Sequence, residues 1–514
     1  MRVRMARLPL LDRTLLWSAC SGLLLACSFP QPDLPFLAWF ALVPLLLVMA
    51  KRPFASGFMA GFAFFAPLLY WLNIVMTTYG QLNPFFSLVA HLLLVTYLAL
   101  FCAASTWLSC RFEAVLRLPS IITLPVIWVA LEYLRGQLFS GFPWGLLGYS
   151  QQSLPWMIQA ADLTGVYGVS MLLLLINCAA AGVLRSPLSR GGQLAAIMVV
   201  LLLAGHIGYG HWRLASTPDQ RSDQLRVALV QGNIDQSIKW NPDQRQKTID
   251  RYRDLSAQAA AGGIDLIIWP EAAAPFYLQD ENPLSRQVRA VPRELKKYLL
   301  VGGPAYEPEA SGRGYRYFNS AYLFSPQGES LGRSDKIHLV PFGEYVPLGW
   351  LLGFVDKLVV GVGDFSAGRV RPLSLDGHLL GVLVCYEAIF PELARDYVRQ
   401  GSDLLVNITN DAWFGRSPAS LQLLAMTRFR AIENRIWIAR AANTGISALV
   451  SPSGGVTLST PLFETLQVSG QVGLGAQPTV YARTGDLLPQ FCLMLLTAWM
   501  LVGWWVKRGG PGQG

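Results

Sequence analysis

Long apolar runs separated by short polar connectors fill the first 210 positions of the chain. Seven runs approach or exceed the roughly 20 apolar residues that a helix needs to cross a bilayer, and one more closes the chain. They predict membrane-spanning helices over 15–29, 34–50, 55–76, 84–110, 121–138, 165–184, 194–210 and 488–506. The fifth run is the least regular, because Glu132 and Arg135 fall near its end.

The basic residues of the connectors predict the orientation of these helices. Lys and Arg are frequent on one side, at Arg2, Arg4, Arg7, Arg13, Lys51, Arg52, Arg111, Arg117, Arg185, Arg190, Lys507 and Arg508. The connectors 28–33 and 77–83 contain neither residue type, and Arg135 is nearly alone on that side. Because Lys and Arg favour the cytoplasmic side, we expect a multi-pass protein of the cell inner membrane with both termini cytoplasmic.

The basic N-terminus followed by an apolar run is also typical of a secretory signal peptide. No convincing small-x-small cleavage site follows the run 15–29, and the next apolar run begins at once. We therefore expect an uncleaved anchor.

Between the seventh and eighth runs, short apolar strands alternate with polar helical stretches, which is typical of an α/β sandwich. Strands are predicted at 225–231, 266–269, 299–302, 403–409, 436–442 and 445–451. Helices are predicted at 243–261, 284–298 and 421–434, and hairpins at 318–336 and 372–385. We therefore expect a seven-helix transmembrane domain at 1–214, a periplasmic α/β domain at 215–485, and a C-terminal transmembrane helix with a cytoplasmic tail at 486–514.

The composition fits a membrane protein and narrows the possible partners. The 514 residues are 53% hydrophobic and only 14% charged. The formal net charge is +9, but the basic residues flank apolar runs and form no patch with interleaved aromatic residues, which argues against a nucleic-acid partner. Six of the seven cysteines lie in apolar runs, and no metal-ligand spacing is present. No metal or other cofactor is predicted.

The remaining cysteine, Cys385, ends an apolar strand at 379–384 and precedes a helical stretch at 391–397. A thiol at such a turn faces backbone N–H groups and a helix N-terminus, which lower its pKa and can bind an oxyanion. The pattern therefore predicts a nucleophile with a lowered pKa. The alternative for a lone cysteine is a buried structural role.

Two other strand ends carry side chains suited to the same chemistry. Glu271 follows the strand at 266–269, and Lys336 closes the returning strand of the first hairpin. Either residue alone is typical of a solvated strand end. Together with Cys385 they favour one site, in which Glu271 takes the thiol proton and Lys336 stabilises an oxyanion.

The order Glu, Lys, Cys resembles the nitrilase, or carbon–nitrogen hydrolase, superfamily. The finer motifs resemble one of its branches, the apolipoprotein N-acyltransferases: Trp-Pro-Glu271, Val-Pro-Phe-Gly-Glu344, Cys-Tyr-Glu387 and Asn410-Asp-Ala-Trp-Phe-Gly. The resemblance covers 225–480, and the flanking apolar runs match the branch. It implies a polytopic α-helical membrane domain of about eight transmembrane helices that carries a nitrilase-like α-β-β-α sandwich domain.

The resemblance also implies the activity and the partners. Such enzymes take an acyl chain from a phospholipid, hold it as a cysteine thioester, and pass it to the amino group of a diacylglyceryl-cysteine at the N-terminus of an apolipoprotein. The expected partners are therefore a phospholipid donor and an apolipoprotein acceptor. We expect the protein to act as a monomer.

Around the three central residues, the resemblance assigns supporting roles. Glu344 would fix the catalytic lysine, Glu387 would be a structural acid, and Tyr386 would shape the pocket. Trp240 and Trp413 would line the path of the acyl chain or the lipoprotein. The simpler alternatives are solvent exposure for Glu344 and ordinary packing for the aromatic side chains.

The stretch 345–360 is too apolar for an ordinary loop of a soluble nitrilase. We expect an arm beside Lys336 that dips into the bilayer surface, with Trp350 in contact with substrate. Burial of the stretch in the core is the alternative.

Two other functions stay open on the sequence alone. A membrane-anchored amidase or nitrilase would use the same three residues but pass the acyl group to water. A non-catalytic scaffold or transporter would need none of them, and the scarcity of charges within the apolar runs argues against transport.

Overall fold

The computed structural model describes residues 12–216, 223–309, 312–341, 343–345 and 365–507. These residues form two compact units. The helical unit contains 12–70, Leu88–His211 and 486–507, and the sandwich unit contains Trp71–Ser87 and the described part of Trp212–Gly485.

The helical unit has fewer full-length apolar helices than the sequence pattern predicts. Its α-helices are Arg13–Cys27, Val43–Val48, Pro53–Leu68, Pro84–Leu116, Ser120–Arg135, Pro155–Ile158, Ala161–Thr164, Val166–Arg185, Arg190–Ser216 and Leu487–Lys507. Four are long and apolar enough to cross a membrane: Pro84–Leu116, Val166–Arg185, Arg190–Ser216 and Leu487–Lys507. A fifth span results if the bent pair Pro53–Leu68 and Trp71–Tyr79 is counted as one.

Eight spans are therefore not confirmed, and the reason is helix length. The first and fifth predicted spans correspond to helices of 15 and 16 residues, Arg13–Cys27 and Ser120–Arg135. At 1.5 Å per residue they measure only about 22 to 24 Å, less than the roughly 30 Å hydrocarbon core. The second predicted span is divided into a 3₁₀ turn, Pro35–Trp39, and a short helix, Val43–Val48.

The two charged residues of the fifth run point into the helical unit. Glu132 and Arg135 are only 5% and 3% exposed. The Glu132 carboxylate accepts hydrogen bonds from the Trp128 indole N–H at 3.1 Å and from the Leu147 backbone N–H at 2.8 Å. These charges therefore belong to the interior of the unit, as intramembrane ionisable residues usually do.

The sandwich unit contains two six-stranded sheets. The first has the order β12-β1-β2-β3-β4-β5. Its strands are β1 Gln224–Gln231, β2 Leu266–Ile268, β3 Tyr298–Pro308, β4 Tyr315–Phe324, β5 Ser330–Asp335 and β12 Leu466–Gly473. The second has the order β11-β10-β9-β8-β7-β6. Its strands are β6 Leu373–Leu375, β7 His378–Val384, β8 Leu404–Thr409, β9 Ile438–Ala442, β10 Ala448–Val450 and β11 Val456–Ser459.

Each sheet is covered by two helices on its outer face. The helices Arg245–Ala260 and Pro283–Leu295 cover the first sheet, and Pro391–Arg399 and Ala419–Asn434 cover the second. The sheets contact one another through β1 and β9, and a Cβ on Gly470 of β12 would lie 2.6 Å from the Leu449 side chain of β10. The unit is thus an α-β-β-α sandwich with the nitrilase-like arrangement that the sequence predicts.

Most predicted strands and helices of this unit are confirmed to within a few residues. The terminal strands β11 and β12 are not among the predictions, since β12 pairs with β1 some 240 positions away along the chain. The segment Trp71–Ser87 also belongs to this unit. Trp71 packs edge-on against Phe414 with ring centroids 5.0 Å apart.

Candidate active site

Glu271, Lys336 and Cys385 lie at the same edge of the sandwich because of strand direction. β2 runs parallel to β3, and β5 has the same direction because two antiparallel pairings separate it from β3. Glu271 follows β2 and Lys336 follows β5. In the second sheet, Cys385 follows β7, which is parallel to β8.

Both carboxylate oxygens of Glu271 are held by neutral donors. One accepts from the Asn319 side-chain amide at 2.7 Å, and the other accepts from the Asn410 backbone N–H at 2.9 Å. The residue is only 7% exposed. Gly302 on β3 permits this turn, because a Cβ there would lie 2.7 Å from the Glu271 Cα. The carboxylate therefore has a fixed position between the two sheets.

Lys336 forms a two-pronged ion pair with Glu344. Its ammonium lies 3.0 Å from Oε1 and 2.8 Å from Oε2 of that carboxylate. Burial on its own would lower the pKa of Lys336, but the negative charges of Glu344 and Glu271 outweigh burial and raise the pKa above its ordinary value. Lys336 therefore stays protonated, which suits a group that stabilises negative charge.

Glu344 is a structural partner of the lysine and is not a solvated loop carboxylate. Only 12% of its side chain is exposed. Besides binding Lys336, it accepts from the Asn319 side chain at 3.1 Å and from the Val340 backbone N–H at 2.9 Å. Asn319 thus joins Glu271 to Glu344.

Cys385 has a strained backbone and a buried thiol. Its φ of +57° lies in the left-handed region, which costs a non-glycine residue about 1 to 3 kcal/mol. Burial and the charge of Glu271 raise the thiol pKa to about 12, against the opposing effects of Lys336 and a hydrogen bond with Thr409. The sequence-based prediction of a lowered pKa is therefore wrong, because burial outweighs the nearby cation.

Glu387 connects the strand that carries Cys385 to the segment after Lys336. It is fully buried and accepts from the backbone N–H groups of Ile337 at 2.6 Å, His338 at 2.8 Å and Val384 at 2.7 Å. Burial raises its pKa to about 7, although these hydrogen bonds act in the opposite direction. These contacts fit a structural acid.

The aromatic candidates differ in their surroundings. Tyr386 is 8% exposed and lies edge-on against Phe390 at 5.1 Å, and burial raises its pKa. Trp413 is half-buried and lies edge-on against Tyr79 at 5.6 Å. Trp240 is half-buried. Trp350, like most of the predicted arm 345–360, lies outside the described residues.

Four residues at this site are not among the sequence predictions. Asn319, Thr409 and the backbone of Asn410 contact the central side chains, and the Lys239 ammonium donates to the Glu271 carbonyl oxygen at 2.9 Å. A lone Asn or Thr in a strand carries no signal. The motif Ile-Lys-Trp-Asn draws attention to Trp240, but the neighbouring Lys239 reaches the site.

The chain is similar to known proteins along almost its whole length. Two family models match: the apolipoprotein N-acyltransferase N-terminal domain at residues 21–179, and carbon-nitrogen hydrolase at residues 226–473. A protein named apolipoprotein N-acyltransferase from Geobacter metallireducens is 46% identical over 508 residues, which is 96% of each chain. One of the same name from Methylococcus capsulatus is 34% identical over 491 residues, or 92% of this chain and 93% of that one.

Solved structures show weaker similarity. The C. elegans NitFhit protein is 18% identical, with a TM-score of 0.39, over 49% of this chain and 62% of its own. An amidase from Nesterenkonia is 22% identical, with a TM-score of 0.38, over 52% of this chain and 99% of its own. The full-length relatives, together with both family models, show that the chain belongs to the apolipoprotein N-acyltransferase family.

Proposed function

We propose that the protein transfers an acyl chain from a phospholipid to the N-terminal amino group of diacylglyceryl-cysteine in apolipoproteins, through a thioester on Cys385. The observation that carries this proposal is the grouping of a buried thiol, a fixed carboxylate and a protonated lysine in a chain of this family. The long apolar helices suit two lipid substrates.

In the first half-reaction, Glu271 accepts the thiol proton while the Cys385 sulfur attacks the ester carbonyl. The thiol pKa of about 12 means that little thiolate exists beforehand, so proton removal accompanies attack. Lys336 and a backbone N–H beside Cys385 stabilise the oxyanion. When the carbon–oxygen bond breaks, Glu271 returns the proton to the leaving alkoxide, and a lysophospholipid departs.

In the second half-reaction, the neutral amino group of the lipoprotein attacks the thioester carbonyl. Glu271 takes a proton from the attacking nitrogen, and the same two donors stabilise the second oxyanion. Collapse breaks the carbon–sulfur bond and forms an amide. The proton held by Glu271 then returns to the Cys385 sulfur, which regenerates the starting site.

The membrane arrangement is part of the proposal. Eight spans would divide the chain into a seven-helix domain at 1–214, a periplasmic catalytic domain at 215–485, and a last helix with a cytoplasmic tail at 486–514. The long apolar helices and the bias of Lys and Arg between connectors support an inner-membrane location with cytoplasmic termini. The protein would act as a monomer.

The deciding experiment is mass spectrometry of the purified protein after exposure to phospholipid alone. We expect a stable, hydroxylamine-sensitive acyl adduct on Cys385, because a transferase excludes water from its thioester. A diacylated lipopeptide with a free amino terminus should discharge the adduct, whereas the same peptide with an acetylated amine should leave it intact. Rapid release of fatty acid without any amine would identify a hydrolase instead.

Three variants control this experiment. Cys385→Ala should form no adduct, while Cys492→Ala, which removes a buried thiol from the closing helix, should form it normally. Glu271→Gln should fold but accumulate the adduct at least 100-fold more slowly, since a positioned base contributes about 10²- to 10⁴-fold. Adduct formation at the parent rate by Glu271→Gln would refute its role as the base.

A further inference from the structure

Among the residues that the structure describes, Lys239 and Lys336 are the two buried lysines, each 1% exposed. Lys336 is accounted for by its ion pair with Glu344. Lys239 donates instead to the main-chain carbonyl oxygen of Glu271, at 2.9 Å. A buried ammonium is costly unless a negative charge lies close by, so its place beside this glutamate needs an explanation.

The charges around Glu271 explain why a buried ammonium lies beside it. Its carboxylate oxygens accept hydrogen bonds only from neutral groups among the described residues, the Asn319 amide and the Asn410 backbone N–H. Lys336 has both carboxylate oxygens of Glu344 within 3.0 Å, so much of its charge is compensated there. The charges of Lys239 and Glu271 attract each other. Lys239 is thus a second cation beside the carboxylate.

We propose that Lys239 is a positioning residue, whose charged ammonium fixes the Glu271 main chain so that the carboxylate is held in place to accept the Cys385 proton. The inference rests on the proposed thioester function and assigns Lys239 no contact with substrate. Lys336 then stabilises the oxyanion, and Lys239 positions the base Glu271, so the two lysines have different roles.

This division has a pH signature. Burial lowers the pKa of Lys239 to about 8, although the charges of Glu271 and Cys385, the ionisable groups that face it, act in the opposite direction. Lys239 is therefore charged below about pH 8 and neutral above it. Cys385 titrates near 12, and the pKa of Lys336 is raised. A neutral amine donates a weaker hydrogen bond to the Glu271 carbonyl oxygen than an ammonium does, so the rate of acyl loading should be highest below pH 8 and fall as the pH rises through that value.

The test measures the rate of adduct formation on Cys385 between about pH 5 and 10 with phosphatidylglycerol in detergent, a donor whose headgroup does not titrate in that range. Without any variant, the parent rate should fall at least fivefold between about pH 7 and 9. A rate that stays flat or rises across this range would overturn the inference. If the parent forms no adduct at any pH, the proposed function fails instead.

Two variants separate charge from hydrogen bonding. Lys239→Gln keeps a donor for the Glu271 carbonyl but removes the charge. It should load roughly 10- to 100-fold more slowly than the parent below pH 8, because a neutral donor holds the carbonyl less firmly than an ammonium, and its rate should not fall near pH 8. Lys239→Arg keeps the charge at every pH tested, so it should load at close to the parent's rate below pH 8 and lose the fall near pH 8.

The matched control is Lys247→Gln, at an exposed lysine of the helix Arg245–Ala260. It should leave the parent's rate and its fall near pH 8 unchanged. A Lys239→Gln variant with the parent's rate and pH profile would show that the charge of Lys239 plays no part, and would refute the inference. If Lys239→Gln does not fold, as judged by its thermal transition in detergent, the pH profiles of the parent and of Lys239→Arg decide: a persistent fall near pH 8 in Lys239→Arg refutes the inference.

Discussion

At the scale of single residues, the site depends on the balance between burial and charge. The Cys385 thiol is buried beside Glu271, and its pKa of about 12 leaves it neutral at physiological pH. The pKa of Lys336 is also raised, but by the charges of Glu344 and Glu271, so Lys336 stays charged where the thiol stays neutral. A neutral nucleophile beside a fixed base is protected from adventitious oxidation, since the thiolate is the reactive form.

The first prediction follows from the raised thiol pKa. Alkylation of Cys385 by iodoacetamide should be slow at neutral pH and should keep accelerating by about tenfold per pH unit up to at least pH 9, because the thiolate fraction rises until the pKa is reached. Peptide mass spectrometry of the modified site measures this rate. A plateau below about pH 8 would show a preformed thiolate.

A second prediction concerns Glu344. Glu344→Gln removes the charge that pairs with Lys336 at 2.8 Å and 3.0 Å. We expect acyl loading per folded protein to fall about 100-fold, which is the range seen when a transition-state stabiliser is disturbed, and thermal stability to fall as well, because Lys336 loses its buried partner. Glu309→Gln, at an exposed carboxylate of the same unit, is the control. Loading by Glu344→Gln within threefold of the parent would exclude a role in fixing Lys336.

At the scale of elements, the turns that follow strands position the polar groups of the site. The turn Asp411–Phe414 begins just after Asn410, whose N–H holds Glu271. The segment Trp71–Ser87 packs onto this turn through two aromatic pairs. Trp71 lies against Phe414, and Tyr79 lies against Trp413. Aromatic pairs of this kind contribute about 0.5 to 1.5 kcal/mol each beyond area burial, so the segment helps to hold the turn.

The third prediction belongs to the apolar arm at 345–360, most of which lies outside the described residues. Polar replacement of Trp350, Leu351 and Leu352 should slow acyl loading from phospholipid vesicles at least tenfold, because the arm would lose its contact with the bilayer surface. The thermal unfolding temperature of the variant should stay close to that of the parent. Loading rate and thermal unfolding of the same preparation are compared. Loss of folding would instead support the alternative that the stretch is buried in the core.

At the scale of the whole molecule, the apolar helices and their flanking basic residues predict the orientation of the chain in the membrane. Four long apolar helices, or five with the bent pair, are present in the described part of the chain. Basic residues flank them on one side. The orientation that these residues predict places the sandwich unit in the periplasm.

The fourth prediction tests that orientation. A cysteine introduced at Glu281, an exposed position of the sandwich unit, should react with a membrane-impermeant maleimide added to cells with a permeabilised outer membrane. A cysteine at Gly509 should react only after the inner membrane is opened. The background is the parent without either reporter. The reverse pattern would contradict the positive-inside argument and the periplasmic assignment together.

The class of fold and three candidate residues can be predicted from local patterns along the chain. Glu271 and Cys385 follow apolar strands, and Lys336 closes the returning strand of a predicted hairpin. The pattern of apolar runs likewise predicts the helical unit, but only four of the runs, or five with the bent pair, are long apolar helices in the described part of the chain, because hydropathy does not register where a helix ends. Prolines and short helices such as Ser120–Arg135 decide that.

The pairing of the charges, in contrast, depends on contacts that form only when the chain folds. Lys336 and Glu344 are eight positions apart, but Lys239 reaches Glu271 across 32 positions. The Asn410 N–H reaches the same glutamate across 139. Such contacts depend on which strand ends meet, and so does burial, which raises the pKa of Cys385 where the local motif predicts a lower one. Desolvation is a property of the assembled interior, and no stretch of sequence contains it.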